Sequence, residues 1–380
     1  MTVGTRIEAL VEKADFLTLP EVAHLCAGGE TPILRSHSEA VAWFFDQKSR
    51  GMAGRERGLM GTVASCRRLV GELLGVSSDD IAFLSSASEG VNQLAAWLDW
   101  RPGDNVVVED IEYPSDIYPW VRLRERGVEV RVVRQAGDTP TLARIAAAMD
   151  NRTRVLSASQ VSYLTGRRYD LADLGALARR HGALLSVDAT HATGVVPVAA
   201  AEADILVSSC YKFLLGVHGA AIFYRNPARL ADLEPLTLGW HSIGGHHTVA
   251  EPTDYVLRPT AARFEAGNPP LLAVAILENA LRYLAAVGIE RIERHILDLG
   301  AILWRGLRDR GFELLTPEDE AHRGPNICFA WEDTAALVAA LVERNIQVWG
   351  GDGRVRVSLH AYNDQDDVER LLAALDSVRQ

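Results

Sequence analysis

The amino-acid sequence predicts an α/β protein: a large domain on a mostly parallel seven-stranded sheet, then a smaller α+β domain at the C-terminal end. Three observations predict it. Strand-like runs alternate with amphipathic helical segments from Asp80 to Arg225, the pattern of repeated βαβ units. That alternation stops at Arg225, and residues 226–270 hold six prolines and little periodicity before helices and short strands resume. With 380 residues, 48% of them hydrophobic, the chain is long enough to cover a sheet of six or more strands on both faces.

The seven runs are IAFLS (81–85), NVVVED (105–110), VEVRVV (128–133), RVLSASQVS (154–162), ALLSVD (183–188), DILVSS (204–209) and AAIFYR (220–225). Of the segments between them, SEGVNQLAAWL (88–98) has helical spacing. DLADLGALARRHG (170–182) opens on an Asp cap and stops at Gly182, the usual start and stop signals. Beyond the proline-rich connection, 271–310 reads as long helices, NICFAW (326–331) and IQVWG (346–350) as short strands, and RVRVSL (354–359) as a charged strand. A last helix runs from Asp364. The expected organisation is residues 1–35 packing on the small domain or the domain boundary, 36–260 as the large domain and 261–380 as the small one.

Net charge is −11, with no run of five like charges. That argues against nucleic acid, whose binding rests on Lys and Arg neutralising phosphates, and against an anionic membrane surface. No uninterrupted apolar stretch reaches the ~18 residues of a membrane span. The N-terminal stretch MTVGTRIEALVEKAD carries charges where a signal peptide has its apolar run, which predicts a cytoplasmic protein. Cys26, Cys66, Cys210 and Cys328 are scattered without a CxxC pair, so neither a disulfide framework nor a zinc site is expected. His241, His246 and His247 lie in a glycine-rich stretch without flanking ligands and read as a solvated loop, with no metal.

Of 39 basic residues only three are lysines: Lys13, Lys48 and Lys212. Any chemistry needing a deprotonatable amine must use one of them. Lys13 and Lys48 fall in amphipathic N-terminal helices. Lys212 directly follows the strand-like DILVSS, where α/β proteins place their ligands. Taken alone, a lysine there is an ordinary surface residue. Lodged between buried-looking segments, its natural chemistry is a Schiff base with an aldehyde, as in pyridoxal phosphate (PLP) enzymes. That cofactor makes further demands. A carboxylate must keep the pyridine nitrogen protonated, and Asp188 ends ALLSVD. A phosphate needs a helix N-terminus with small residues, and SSASEG (85–90) offers Ala87 and Ser88. A flat group must cover the ring, and Tyr113 follows NVVVED. Each feature alone is common; four of them in successive βα units point together to PLP.

At this point the sequence resembles the class V aminotransferase family of PLP enzymes, of fold type I, with kynureninase as the nearest pattern and cysteine desulfurase and selenocysteine lyase next. The resemblance is carried by YPSD (113–116), VSYLTG (161–166), VDATHATG (187–194), SSCYKF (208–213), GWHS (239–242), RFEAGNPP (263–270) and RVRVS (354–358), in family order along nearly the whole chain. It implies that Lys212 forms the Schiff base and moves protons. Asp188 pairs with the pyridinium, His191 faces the phenolic oxygen, and Tyr113 stacks on the ring. Ala87, Ser88, Asp116, Ser209 and Tyr211 surround the phosphate. It further implies a homodimer, with Trp240 and Asn268 reaching the site from the second subunit, and an Arg356 fork on the substrate α-carboxylate. Tyr163 stands where desulfurases carry an asparagine near the ring, as kynureninases tend to.

Two departures matter. Desulfurases carry a nucleophilic cysteine on the loop before the carboxylate-binding arginine; here NIQVWGGDG holds none, and Cys328 sits in a strand-like segment as a small hydrophobe. Kynureninases carry a G-N-S-L-G segment near the N-terminus; here the region reads CAGGETPIL (26–34). The expected function is therefore a PLP-dependent lyase that cleaves a Cβ substituent of an L-amino acid, with a C–S lyase on a cysteine conjugate, of the kind found in bacterial secondary metabolism, favoured. Aminotransferase, epimerase, decarboxylating or oxidative deaminase and true kynureninase are the enzymatic alternatives. A non-catalytic relic of the fold would be expected to have lost the lysine or the aspartate, and both are present.

Overall fold

The computed structural model describes residues 6–135, 141–245 and 254–378. Its centre is a seven-stranded sheet made of β1 (Ile81–Leu84), β2 (Asn105–Glu109), β3 (Glu129–Val133), β4 (Thr153–Ser159), β5 (Leu184–Asp188), β6 (Ile205–Ser209) and β7 (Ala221–Arg225). The order across the sheet is β1-β7-β6-β5-β4-β2-β3. Only β7 runs against its neighbours, so six of the seven strands point their carboxyl ends at one edge. All seven strand-like runs became strands of this sheet.

Alternation along each strand splits the apolar residues between two cores. Val106 and Val108 of β2 face one way, with Ala82, Leu84, Val155, Val207 and Phe223, under the helix Ala87–Trp97. Val107 faces the other way, with Phe83, Leu156, Leu185, Val187 and Ile222, against Leu171–Arg180, Met60–Leu74 and Leu271–Val287. This two-sided burial is what a parallel sheet requires. The helix cap read at Asp170 is present: its carboxylate accepts the Ala172 amide, and Gly182 after the helix takes φ +67°.

A smaller antiparallel sheet, β8 (Asn326–Ala330), β9 (Trp349–Gly351) and β10 (Arg354–Ser358), has β10 in the middle. The N-terminal segment packs on this end of the molecule. Ala23–His24 pairs with Ile346–Gln347, and Lys13 is ion-paired with Asp364 and Asp367 at 2.8 Å each. Lys13 lies in a single 3-10 turn, which corrects the helix expected there; Lys48 does lie in a helix, His37–Ser49. One continuous apolar core joins the large sheet, the N-terminal segment and the small sheet. His241 is buried against Glu265, 3.3 Å away, and not in a solvated loop; His246 and His247 fall outside the described residues. No single described helix is long and apolar enough to cross a membrane.

Between the two sheets runs a column of buried rings: Phe213, His360 and Tyr362 stack in sequence, and Tyr362 Oη meets His24 Nδ1 at 3.1 Å. The Ala361 amide donates to His360 Nδ1, so His360 must carry its proton on Nε2, which lies 3.0 Å from the Phe213 carbonyl. Burial lowers both His24 and His360 to about 4. Their folded values lie below the ordinary 6.5, so protonation favours the unfolded chain. Their contribution is full above pH 6.5 and is lost as pH falls towards 4, at most about 3 kcal/mol each. Thermal unfolding followed from pH 7 to pH 4 should show a flatter loss of stability in His360→Gln than in the parent chain. Equal slopes would remove His360 as a source of acid lability.

Candidate active site

The site lies at the edge where the parallel strands end, because each strand hands its last side chains to the same cleft. Ser86, Ala87 and Ser88 follow β1, Tyr113 and Ser115 follow β2, and Ser159, Val161 and Tyr163 come from the end of β4. Asp188, Thr190 and His191 follow β5, and Ser209, Tyr211 and Lys212 follow β6; all of these line one cleft.

Lys212 is placed by a tight reversal. After Ser209 the chain must turn back to enter antiparallel β7, and it does so with Leu215 N bonded to Lys212 O at 2.8 Å and Leu215 at φ +57°. The turn is wedged against Gly194, where a Cβ would come within 2.5 Å of the Phe213 carbonyl. Thr31 Oγ1, from the N-terminal segment, donates to the carbonyls of Tyr211 and Lys212 at 3.1 and 3.2 Å. Burial lowers the Lys212 amine from its ordinary 10.5 to about 8, against the opposing pull of Asp188. Its Nζ is 3.2 Å from His191 Nε2 and 5.4 Å from the centre of the Tyr113 ring. An amine titrating near neutrality is a usable nucleophile and base.

Asp188 is held at the end of β5 with Oδ1 accepting the Thr190 amide at 2.7 Å, while Thr190 Oγ1 accepts the Ser209 amide at 3.0 Å. Asp116 was expected at the phosphate. Instead its carboxyl is buried outside the cleft lining, near enough to the Asp188 carboxylate to feel its charge. Burial first, and the Asp188 charge second, push Asp116 well above the carboxylate range, so it is the protonated partner.

Glu112, whose role the sequence did not suggest, extends this group. It accepts the Ser159 amide at 2.8 Å and binds the Ser159 hydroxyl, and Ser159 is the cross-strand partner of Asp188. Burial and the nearby Glu109 raise Glu112 to about 8.

Ala87 and Ser88 open an eleven-residue helix capped by Ser86, whose side chain takes the Glu89 amide. That leaves the first-turn amides at the cleft, a cradle suited to an anion. Ser88 Oγ bonds Ser115 Oγ at 2.7 Å. Tyr211 stacks on His218 at 3.9 Å, and Tyr113 meets Tyr163 edge-on at 5.1 Å. Arg356, in the middle strand of the small sheet, is buried; its Nη1 donates to Tyr163 O at 3.0 Å and its guanidinium lies 4.8 Å over Trp349. Trp240 and Asn268 do not line the cleft of their own chain: Arg55 sits 5.5 Å over the Trp240 ring and donates to Asn268 Oδ1 at 2.8 Å.

The structure also brings in residues without a sequence signal of their own. Asn326 of β8 reaches His191, and Gly28 packs at the same spot. Gly29 lies between Cys26 and Arg356: a Cβ there would be 3.0 Å from Cys26 Sγ and 3.9 Å from Arg356 Nη2.

A buried amine, a carboxylate ending the adjacent strand and an anion cradle at a helix N-terminus, all on one edge of a mostly parallel sheet, fit PLP. They define a PLP enzyme of fold type I. The class-V aminotransferase family profile matches residues 33–371, and the chain belongs to that family. A probable cysteine desulfurase of Methanothermobacter thermautotrophicus is 29% identical, over 96% of this chain and 97% of its own length. A cysteine desulfurase of Salmonella choleraesuis is 31% identical, over 80% of this chain and 79% of its own. Among solved structures, the cysteine desulfurase of Thermococcus onnurineus superposes with TM-score 0.87 at 23% identity, covering 96% of both chains. A cystine C-S lyase solved with its product cysteine persulfide superposes with TM-score 0.86 at 24% identity, covering 94% of this chain and 98% of that one.

Glu112 offers a check on the buried acids. Its folded value lies far above the ordinary 4.5, so its contribution is present at low pH and is lost as pH rises towards 8. Glu112→Gln keeps both contacts to Ser159 without the ionisation. The variant should gain thermal stability over the parent at pH 8 and little at pH 4. A gain of the same size at both pH values would mean that Glu112 is ionised throughout.

Proposed function

We propose that this PLP enzyme is a lyase that cleaves the Cβ–S bond of a cysteine-derived L-amino acid. The observation that carries the proposal is a neutralisable Lys212 amine in the cleft with the buried Arg356 fork beside it, bonded to the backbone of the cleft residue Tyr163. One can move the α-proton while the other holds the α-carboxylate. The named relatives, cysteine desulfurases and a cystine lyase, support sulfur at Cβ.

When bound, PLP supplies an electron sink for the α-carbanion. The chain does the rest. Lys212 holds the cofactor and takes the α-proton at Nζ. Asp188 keeps the pyridine nitrogen protonated, with the raised Asp116 carboxyl buried nearby. Ala87 and Ser88, with Ser209 and Tyr211, receive the phosphate, and Tyr113 and Tyr163 bound the open side of the cleft. Arg356 fixes the substrate so that its Cα–H bond faces Lys212. Trp240 and Asn268 serve the neighbouring subunit of a homodimer. In balance, the conjugate R–S–CH2–CH(NH3+)–COO− and one water give RSH, pyruvate and ammonium.

A second reading, desulfuration of cysteine onto a protein thiol, is favoured by the relatives' printed activity. The thiols oppose it. Cys328, opposite Arg356 in the strand register, is fully buried and pushed up to about 12, and burial also raises Cys26, which lies near Arg356 across Gly29.

Four measurements test the proposal. The protein should purify yellow, and Lys212→Ala should lose the visible band that depends on the lysine; a band surviving unchanged would end the assignment of Lys212. Asp188→Asn should keep some cofactor yet lose on the order of 10²-fold or more in rate, about 3 kcal/mol of barrier. With an S-substituted cysteine, thiol and pyruvate should form without any keto acid. Pyridoxamine phosphate that only a keto acid can reverse would make it a transaminase. Labelling should find no protein persulfide in the parent chain, and Cys328→Ala and Cys26→Ala should both stay within a few fold of its rate.

A further inference from the structure

His191 is buried and faces two basic groups, Lys212 at 3.2 Å and, farther off, Arg356, with no carboxylate among the described residues paired to it. Its other neighbours are the Tyr163 and Phe213 rings and a pair of polar side chains from the small sheet. Those two, Asn326 and Ser358, stand opposite each other in the β8–β10 register and are both fully buried. Ser358 Oγ donates to Asn326 Oδ1 at 2.8 Å, and Asn326 Nδ2 donates to His191 Nδ1 at 2.9 Å. A ring nitrogen that accepts cannot carry the proton, so the neutral ring must be protonated at Nε2, the atom that meets Lys212 Nζ. The donors therefore run in one direction through four residues, from Ser358 to Asn326 to His191 to Lys212.

The site is built around this chain. At Gly28 a Cβ would lie 2.7 Å from Ser358 Oγ, 2.9 Å from His191 Cε1 and 3.1 Å from Asn326 Oδ1. At Gly166 it would lie 2.0 Å from the Asn326 carbonyl, in a loop that keeps φ +70°. Two backbone segments thus pass too close for any side chain, and each presses on the residues that orient the ring.

We propose that Asn326, oriented by Ser358, is a positioning residue that holds His191 as the Nε2–H tautomer and so keeps an N–H donor, not a lone pair, turned towards Lys212. A donor at that place stabilises the uncharged amine over the ammonium. It adds to the effect of burial and works from a different sheet. The proposal rests on Lys212 being the amine that holds the cofactor, as argued above.

The decisive variant is Asn326→Asp, isosteric but able only to accept. It should move the proton to Nδ1, turn the Nε2 lone pair towards Lys212 and favour the ammonium. Two readouts apply to the full-length chain. The first is ¹⁵N NMR of the histidine rings without cofactor, with His191 assigned by its loss in His191→Gln. The parent should show Nε2 protonated and Nδ1 bare, and Asn326→Asp the reverse. The second is the pH dependence of the rate at which the stripped protein recaptures PLP, whose midpoint should rise by about one unit or more in Asn326→Asp. Ser358→Ala frees the amide to turn over and should give a mixture of both tautomers with a smaller rise. It also serves if the buried aspartate prevents folding. A parent ring protonated at Nδ1, or a tautomer and midpoint unmoved in both variants, would overturn the proposal. If the parent chain never captures PLP at Lys212, the functional proposal fails on its own, and the NMR result still decides the donor chain.

Discussion

Burying an amine without a full countercharge is the constraint on which this structure turns. Lys212 enters the cleft on a reversal forced by the one antiparallel strand of the sheet, and burial there brings its titration down to about 8. An unpaired ammonium in that position would be costly, and a close ion pair with Asp188 would remove the amine from chemistry. The structure does neither. Asp188 accepts the Thr190 amide at its own strand end and is not ion-paired with the lysine, whose Nζ meets His191 instead.

The acids carry a matching cost. Asp188, Asp116, Glu112 and Glu109 are all buried in neighbouring positions at the carboxyl end of the sheet. Such a cluster cannot be fully ionised: burial pushes Asp116, Glu112 and Glu109 up, and donors to Glu112 and Glu109 offset part of it. Glu109 has the Tyr169 hydroxyl at 2.8 Å, and Glu112 has both the amide and the hydroxyl of Ser159. Asp116 Oδ2 is buried without a hydrogen-bond partner. Asp188 is the one member of the cluster that lines the cleft, where a pyridinium would meet it.

Much of this was legible in the sequence, for a physical reason. Strands buried on both faces show as β-branched runs, and a parallel sheet gathers their ends, so residues following ALLSVD, DILVSS and NVVVED had to converge. Lys212, Asp188, Tyr113 and the Ala87–Ser88 turn were readable as ligands of one group because each follows a strand at a similar offset. The motif YPSD gives chain position and not side-chain direction: in the 3-10 turn Pro114–Asp116 the Asp116 carboxyl is buried away from the cleft lining, while Ser115 lines it. Asn326, Ser358 and Gly28 gave no local signal, since their role exists only through contacts between segments as many as 330 residues apart. In NICFAW and RVRVSL the periodicity marks strands and says nothing about which end touches the other sheet.

That contact between sheets is also why the small sheet matters to chemistry. Arg356 and Ser358 lie two residues apart on β10, so their side chains leave the same face of the strand. One is bonded to Tyr163 O and the other, through Asn326, to His191. A shift of the small sheet would thus move the carboxylate-binding fork and the histidine donor together, on a single rigid strand. The N-terminal segment adds to the coupling. Cys26 bridges to Ser358, Gly28 fills the space beside the histidine, and Thr31 ties down the carbonyls of Tyr211 and Lys212. Substrate grip and lysine protonation are then two readings of one placement, so a substrate that fails to seat its carboxylate on Arg356 would also meet a cleft whose amine is less well set for the α-proton.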